Sequence, residues 1–206
     1  MPRVDGSGLV ASHPMIEIGV LALQGDFYEH TVILQNIGVT PRLVKLPRDL
    51  VGLDGLIIPG GESTTIGKLA QAFDLMTPLR KFGQEHAIWG TCAGAIFLSR
   101  DAEREQPLLS LMDIKVQRNA FGRQIDSFEI DLDVPFLENG EPKPYHAVFI
   151  RAPIITSVYG EAEPLLKLPD GRIVAAKQDH FLATSFHPEL TTDDRFHRYF
   201  VELIKS

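Results

Sequence analysis

The chain has 206 residues, of which 44% are hydrophobic and 23% are charged, and its formal net charge is −7. This composition is typical of a globular protein, and the length fits one domain with a sizeable core. The negative charge argues against a nucleic-acid-binding surface. The one cysteine excludes an internal disulfide. No apolar run approaches the ~20 residues of a membrane span.

Residues 1–14 differ in character from the rest of the sequence. They are aperiodic, contain glycine, serine and proline, and precede a second methionine, Met15. We interpret them as an N-terminal extension or a cloning remnant, followed by one domain over residues 15–206. A basic segment followed by an apolar core is absent, so we expect no signal peptide and a cytoplasmic protein.

The first half of the sequence alternates between strand and helix patterns. We predict strands over residues 16–23, 43–46 and 55–58 and from Ala87, with helices over 27–37, after the loop 59–65, over 74–86 and after Cys92. This alternation predicts an α/β fold with a parallel sheet and helices on both faces. Ligands bind beyond the carboxyl ends of such strands, so three loops, at residues 24–25, 60–63 and 92, should meet at one edge.

The second half of the sequence is richer in short strands. These are predicted over residues 114–116, 127–134, 147–150, 165–168, 173–177 and 181–186. Pro169-Asp170-Gly171 is a hairpin turn signal, and a terminal helix over residues 193–204 has Phe196 and Phe200 on its apolar face.

The sequence Gly90-Thr91-Cys92-Ala93-Gly94 lies between a predicted apolar strand and an apolar helix. G-x-C-x-G has the form of a nucleophile elbow, a sharp turn that holds its apex residue in a strained backbone conformation. A side chain at either glycine would collide with the turn, and the N-terminus of the following helix favours a thiolate. The alternative interpretation is that Cys92 is a small, buried apolar residue.

A cysteine nucleophile needs a base and an acceptor that orients the base. Among the histidines, only His187 ends an apolar strand with a carboxylate, Glu189, two residues further on. Since Pro188 disfavours a helix, we expect an extended segment in which both side chains point to the same side. Taken singly, His187 could be a partly buried structural histidine and Glu189 a solvated carboxylate.

The other histidines receive structural interpretations. We place His30 on the inner face of its helix, His86 and His197 on helix surfaces, and His146 and His180 in turns. None has a metal-ligand spacing with a cysteine or a carboxylate, so no metal site is predicted.

The loop Gly60-Gly61-Glu62-Ser63 has three interpretations. It could be a plain turn. A phosphate-binding loop is disfavoured because the G-x-x-x-x-G-K-[ST] pattern is missing. In the third interpretation, backbone N–H groups near Gly61 face the elbow and stabilise an oxyanion together with the N–H of Ala93.

Six motifs in one order carry a family resemblance. PGGEST at 59–64, GTCAG at 90–94 and SFHPEL at 185–190 resemble class I glutamine amidotransferase domains. LALQGD at 21–26, RNAFGRQ at 118–124 and FIRAP at 149–153 narrow the resemblance to the glutaminase subunits of pyridoxal 5′-phosphate synthases. The six motifs together are specific, whereas G-x-C-x-G alone is not.

The resemblance implies a flavodoxin-like three-layer α/β/α fold and hydrolysis of L-glutamine to L-glutamate and ammonia without a cofactor. It implies that Cys92 is the nucleophile, His187 the base and then the acid, and Glu189 the carboxylate that orients His187. The positions that match glutamine-contacting residues of the family are Gly61, Glu62, Ser63, Arg118, Ile150 and Arg151. Arginine suits the α-carboxylate of the substrate, although Arg118 and Arg151 singly could form surface ion pairs.

The implied partner is a (β/α)8-barrel synthase subunit, which combines the ammonia with a pentose phosphate and a triose phosphate to give pyridoxal 5′-phosphate. Family members usually depend on this partner for full activity, which suggests an oxyanion hole completed on docking. Gln24 is our candidate for the loop that responds to docking. Residues 1–14 depart from the family pattern, which normally begins near Met15.

Three alternatives stay open. The first is a glutaminase subunit for another biosynthetic pathway, which RNAFGRQ and FIRAP disfavour. The second is a cysteine hydrolase or stress protein on the same sheet architecture, where a histidine follows the elbow cysteine; here Ala93 follows it. The third is a non-catalytic partner of a synthase, which an intact Cys92, His187 and Glu189 disfavours.

Overall fold

The computed structural model describes residues 16–118, 127–137 and 142–206. Its strands are β1 Glu17–Leu21, β2 Thr40–Val44, β3 Gly55–Ile58, β4 Ala87–Thr91, β5 Ser99–Asp101, β6 Met112–Gln117, β7 Ser127–Leu132, β8 Tyr145–Ile150, β9 Ile154–Val158, β10 Glu163–Lys167, β11 Ile173–Gln178 and β12 Phe181–Thr184. Its α-helices are α1 Phe27–Asn36, α2 Ser63–Ala72, α3 Met76–Phe82, α4 Ala93–Leu98 and α5 Arg195–Lys205. The predicted extension 1–14 and residues 119–124 of RNAFGRQ lie outside the described residues.

One sheet of ten strands forms the middle layer. Its order is β2-β1-β3-β4-β12-β11-β9-β6-β5, with β10 paired to β11. The five strands from β2 to β12 run parallel, whereas β11 and β9 are antiparallel to their neighbours. Strands β7 and β8 form a separate antiparallel pair. The predicted α/β fold with a mostly parallel central sheet is confirmed.

The sheet is buried on both faces because its strands alternate side chains between two apolar clusters. In β3, Ile57 faces one cluster while Leu56 and Ile58 face the other. Helices α2, α3 and α4 cover the cluster that contains Leu56 and Ile58. Helices α1 and α5 cover the cluster that contains Ile57. Phe200 of α5, which is fully buried, packs against Trp89 of β4 with the ring centroids 5.7 Å apart. This arrangement gives the three layers that the resemblance implies.

The structure differs from the predicted elements in several places. Strand β9 was not predicted, although its sequence IITSV is rich in β-branched residues, and β5 is a three-residue strand. Strand β2 begins earlier than predicted, at Thr40, because it pairs with β1 in parallel from its first residue. The helix predicted over residues 74–86 is shorter in the structure, where α3 spans Met76–Phe82 and turns occupy residues 83–85. The hairpin turn after β10 is confirmed by the antiparallel pairing of β10 with β11.

Strands β1, β3, β4 and β12 are adjacent and parallel, so their carboxyl ends lie at one edge of the sheet. The loops that begin at Gln24, Pro59, Cys92 and Ser185 follow these ends, which confirms the predicted convergence. Among the described residues, no helix is long and apolar enough to cross a membrane.

Candidate active site

Cys92 lies at a sharp turn between β4 and α4. Its backbone has φ 47° and ψ −107°, a conformation that costs a non-glycine residue about 1–3 kcal/mol. Its N–H donates to the carbonyl oxygen of Thr184 in β12 at 2.8 Å. The strained elbow predicted from the sequence is therefore present, and a strand from another part of the chain holds it.

Two glycines make this turn possible. A Cβ atom added to Gly94 would lie 1.9 Å from the carbonyl oxygen of Ile58, and one added to Gly90 would lie 2.5 Å from the carbonyl oxygen of Gly94. Both distances are far below van der Waals contact with backbone atoms that cannot move freely. The predicted requirement for glycine on each side of the cysteine is confirmed.

His187 and Glu189 form a buried pair beside Cys92. His187 Nδ1 lies 2.7 Å from Glu189 Oε1, and the exposed fractions of the two side chains are 5% and 0%. Because an ionised carboxylate only accepts hydrogen bonds, Nδ1 carries the proton. His187 Nε2 has no hydrogen-bond partner among the described residues, so it remains available to the cysteine side of the site.

The backbone between His187 and Glu189 is not the extended segment predicted from the sequence. Pro188–Leu190 forms a single 3-10 turn that begins after His187, whose φ is −104° and ψ 87°. Proline fits the first position of such a turn because its missing N–H would have no partner there. The expectation was wrong about the backbone, although the two side chains do meet as predicted.

The protonation of this pair follows from its surroundings. Burial by itself would lower the pKa of His187, but interactions with Cys92 and Glu189 raise that pKa to about 11. Burial raises the pKa of Glu189, and His187 opposes this effect. At neutral pH the imidazole is therefore protonated and can donate a proton to a leaving group.

The elbow opens into a cleft of about 460 Å³, a size usual for small-molecule sites. Ten predicted residues line it: Gln24, Gly61, Glu62, Ser63, Cys92, Ala93, Arg118, Ile150, Arg151 and His187. Glu189 is not in the lining, since it lies behind His187. The cleft wall also includes Asp26, Ile96, Pro153 and Leu190, which were not among the predicted site residues.

One wall of the cleft carries two opposite charges. Arg118 Nη2 lies 2.9 Å from Glu62 Oε1, and Arg118 Nη1 also donates to the hydroxyl of Thr64 at 3.3 Å. Glu62 caps α2, accepting the N–H groups of Thr64 and Thr65 at 3.3 and 2.7 Å. Partial burial raises the pKa of Glu62, but the Thr65 hydrogen bonds and then Arg118 outweigh it and lower the pKa to about 2. An ionised carboxylate and a guanidinium therefore face a small ligand together.

The glycine loop after β3 is held by the loop after β1. Gln24 Oε1 accepts the N–H of Glu62 at 2.7 Å, and the N–H of Asp26 donates to the carbonyl oxygen of Gly60 at 3.3 Å. Gly61 has φ 146°, and a Cβ atom there would lie 2.6 Å from Gln24 Oε1. Gln24 thus contacts the backbone segment near Gly61, where N–H groups of an oxyanion hole are predicted.

Asp26 was missed, although it belongs to the LALQGD motif at the end of β1. Its carboxylate lies 3.8 Å from His187 Nδ1. Among the described residues, Asp26, His187 and Glu189 have potential ligand atoms within 4.8 Å of one another. His187 Nδ1 is already hydrogen-bonded to Glu189, so this proximity follows from the acid–base pair, and the expected absence of a metal stays a prediction.

The remaining histidines divide differently from the prediction. His30 is on the inner face of α1, as expected, but His197 is fully buried rather than on the surface of α5. It packs edge-on against Trp89, 5.0 Å between ring centroids. His146 lies within β8 rather than in a turn, between the carboxylates of Glu129 and Asp131.

Comparisons with known proteins agree with this geometry. The model of the SNO glutamine amidotransferase family matches residues 20–206. A relative from Herpetosiphon aurantiacus, named pyridoxal 5′-phosphate synthase subunit PdxT, is 58% identical over 191 residues, covering 90% of this chain and 99% of its own. A protein of the same name from Chloroflexus aurantiacus is 54% identical with the same coverage. A solved structure titled "Crystal structure of glutamine amidotransferase" is 47% identical, with a TM-score of 0.85, over 92% of this chain and 99% of that one.

The contact between Cys92 and His187 is testable by titration. Replacing the thiol in Cys92→Ala removes the largest influence that raises the pKa of His187 above 6.5. We expect that pKa to fall from about 11 by about 1–3 pH units, the usual effect of a nearby opposite charge. NMR titration of the imidazole Cε1–H measures it.

The exposed His146 serves as the internal control. Hydrogen bonds with Asp131 and then Glu129 raise its pKa, and neither carboxylate depends on Cys92. Its titration should be the same in both proteins. An unchanged His187 titration in Cys92→Ala would show that the two side chains do not interact.

Proposed function

The chain belongs to the SNO glutamine amidotransferase family, and we propose that it hydrolyses L-glutamine to L-glutamate and ammonia for the synthesis of pyridoxal 5′-phosphate. The observation that carries this proposal is the strained elbow of Cys92 beside a protonated His187 held by Glu189. The names of the relatives from Herpetosiphon and Chloroflexus support the pathway.

The reaction uses the cysteine as a nucleophile. The Cys92 thiolate attacks the side-chain amide carbon of glutamine, and N–H groups near Gly61 and Ala93 stabilise the oxyanion. His187 then gives its Nε2 proton to the departing amine, and ammonia leaves. Water, activated by His187, attacks the γ-glutamyl thioester and releases glutamate and the free thiol. No step needs a cofactor.

The charged wall of the cleft suits the other end of the substrate. Glutamine carries an α-carboxylate and an α-ammonium group, and a guanidinium with a carboxylate complements both. Arg118 is the candidate partner for the α-carboxylate and Glu62 for the α-ammonium, and Ser63 also lines the cleft. Ile150 and Arg151 line the cleft at the end of β8, and Arg151 has a positive φ of 44°.

The product explains the need for a partner. Free ammonia becomes ammonium in water, so we propose transfer to a (β/α)8-barrel synthase subunit docked over the cleft. Apolar side chains at its rim, Ile150 and Leu190, are 39% and 43% exposed, and such groups favour a protein contact. The cytoplasm remains the proposed location.

The first test measures ammonia release from glutamine by the full chain, with and without the synthase subunit. We expect release to rise on adding the synthase and to fall by at least about 10³-fold in Cys92→Ala, because the nucleophile is lost. Activity that survives in Cys92→Ala contradicts the mechanism. Stimulation by an unrelated synthase, and none by this one, contradicts the pathway.

A second test concerns substrate binding. Arg118→Met keeps an unbranched apolar stem but removes the guanidinium, so KM for glutamine should rise about 10–100-fold with a smaller change in kcat. The control is Arg48→Met, whose side chain is 80% exposed and outside the cleft. A KM equal to that of the wild type in Arg118→Met would refute the assignment of Arg118.

A third test concerns docking. We propose that Gln24 links the partner to the oxyanion loop, because its Oε1 accepts the N–H of Glu62 beside Gly61. Gln24→Ala should lower the synthase-stimulated rate of ammonia release by about tenfold or more. The matched control is Gln71→Ala, an exposed position in α2 outside the cleft. An unchanged stimulated rate in Gln24→Ala would refute the role of Gln24.

A further inference from the structure

A row of buried histidines lies behind Glu189, on the side away from His187. His30 of α1 and His197 of α5 are both fully buried. His30 Nδ1 lies 2.9 Å from His197 Nε2, and His30 Nε2 lies 3.4 Å from Glu189 Oε2. Oxygen Oε1 of the same carboxylate accepts the hydrogen bond from His187 Nδ1. The two oxygens of Glu189 therefore face two different imidazoles.

Both outer histidines are neutral. Burial lowers the pKa of His197 to about 3, and burial followed by the charges of His197 and His187 lowers that of His30 well below its usual value. A neutral imidazole has one N–H donor and one nitrogen lone pair that accepts, so each ring has two possible tautomers.

The surrounding groups favour one tautomer of each ring. His197 Nδ1 has no hydrogen-bond partner among the described residues. A proton on it would leave a buried N–H unpaired and, through the His197–His30 hydrogen bond, would turn the lone pair of His30 Nε2 toward the carboxylate. With the proton on His197 Nε2, the ring donates to His30 Nδ1, and the N–H at His30 Nε2 lies 3.4 Å from both the Thr91 hydroxyl and Glu189 Oε2. This second arrangement avoids both penalties.

The remaining contacts hold the His30 ring in place. Its Nε2 also lies 3.4 Å from the hydroxyl of Thr91, and its ring packs edge-on against Trp89 with the centroids 5.9 Å apart. Glu189 Oε2 makes no hydrogen bond among the described residues. A buried carboxylate oxygen without a donor is costly, and hydrogen bonds of catalytic groups are often long before substrate arrives.

We infer that His30 is a positioning residue that acts through Glu189. The N–H at His30 Nε2 donates a hydrogen bond to Glu189 Oε2. This bond holds the carboxylate so that Glu189 Oε1 accepts the N–H at Nδ1 of His187. Cys92, His187, Glu189 and His30 thus lie in one row, which His197 ends, and the bond that we infer in it is the one from His30 to Glu189. The kinetic consequences of this inference rest on the proposed glutaminase function, but the effect on Cys92 does not.

Alkylation of the thiol tests the inference without glutamine or a synthase. The chain has one cysteine, so iodoacetamide reports on Cys92 alone, and the thiolate is the reacting form. Without the His30 donor, the ionised form of the buried Glu189 is less favourable, so the His187 imidazolium loses part of its counter-charge and activates the thiol less. We expect alkylation at pH 7 to slow about tenfold in His30→Leu and to recover in His30→Gln, which keeps an N–H donor.

A matched control separates this effect from the loss of any histidine. His180→Leu removes a hydrogen bond to the carbonyl oxygen of Gly83, at 2.8 Å, without touching Glu189. It should alkylate at the wild-type rate. Equal rates in wild type, His30→Leu and His30→Gln would overturn the inference, whether or not the chain hydrolyses glutamine.

The second test of the role of His30 measures the kinetics of ammonia release with the synthase subunit present. His30→Leu should lower kcat for ammonia release about tenfold and leave KM for glutamine within about twofold. In a Glu189→Gln background, His30→Leu should cause no further loss, because both changes act on one carboxylate. An equal tenfold loss in that background would show a merely structural role. An inactive wild type would refute the proposed function and leave the alkylation result to stand.

A measurement on the unmodified protein covers the case in which His30→Leu does not fold. Imidazole ¹⁵N NMR of the full chain identifies the protonated nitrogen of each neutral histidine. We expect the proton on Nε2 in both His30 and His197. A proton on His30 Nδ1 would overturn the inference.

Discussion

The hydrogen bond from the Cys92 N–H to the Thr184 carbonyl oxygen joins the two halves of the site. It continues the parallel pairing of β4 with β12, in which Thr91 lies opposite Thr184. The chain reaches His187 three residues after Thr184, so the register of one strand pair sets the distance between nucleophile and base. A shift of one residue would turn the following side chains to the other face of the sheet.

Close backbone packing keeps this edge of the sheet rigid. The elbow lies against the end of β3 because Gly94 has no side chain, and the loop after β1 lies against Gly60 because Gly25 has none. A Cβ atom at Gly25 would be 1.7 Å from the carbonyl oxygen of Gly60. Such positions leave little freedom to the N–H groups that would meet an oxyanion, and fixed donors stabilise developing charge better than mobile ones.

The charges of the site are confined to a few groups. Glu189 is fully buried, and a buried charge is tolerated only when it is paired and hydrogen-bonded. His187 supplies the opposite charge, while His30 and His197 stay neutral because burial lowers their pKa values. The interior beyond Glu189 is therefore polar but uncharged, and it meets Trp89 and the aromatic side chains of α5.

The sequence by itself determined the α/β class, the elbow of Cys92 and the meeting of three strand ends, because periodicity, glycine spacing and parallel pairing are local or follow from local patterns. Only the tertiary structure decided the 3-10 turn at Pro188, the burial of His197 and the place of Asp26 beside His187. His30 and His197 are 167 residues apart in sequence, and their contact depends on how α1 and α5 pack on one face of the sheet. No local pattern records such a contact, since it arises only when both helices bury their apolar faces together.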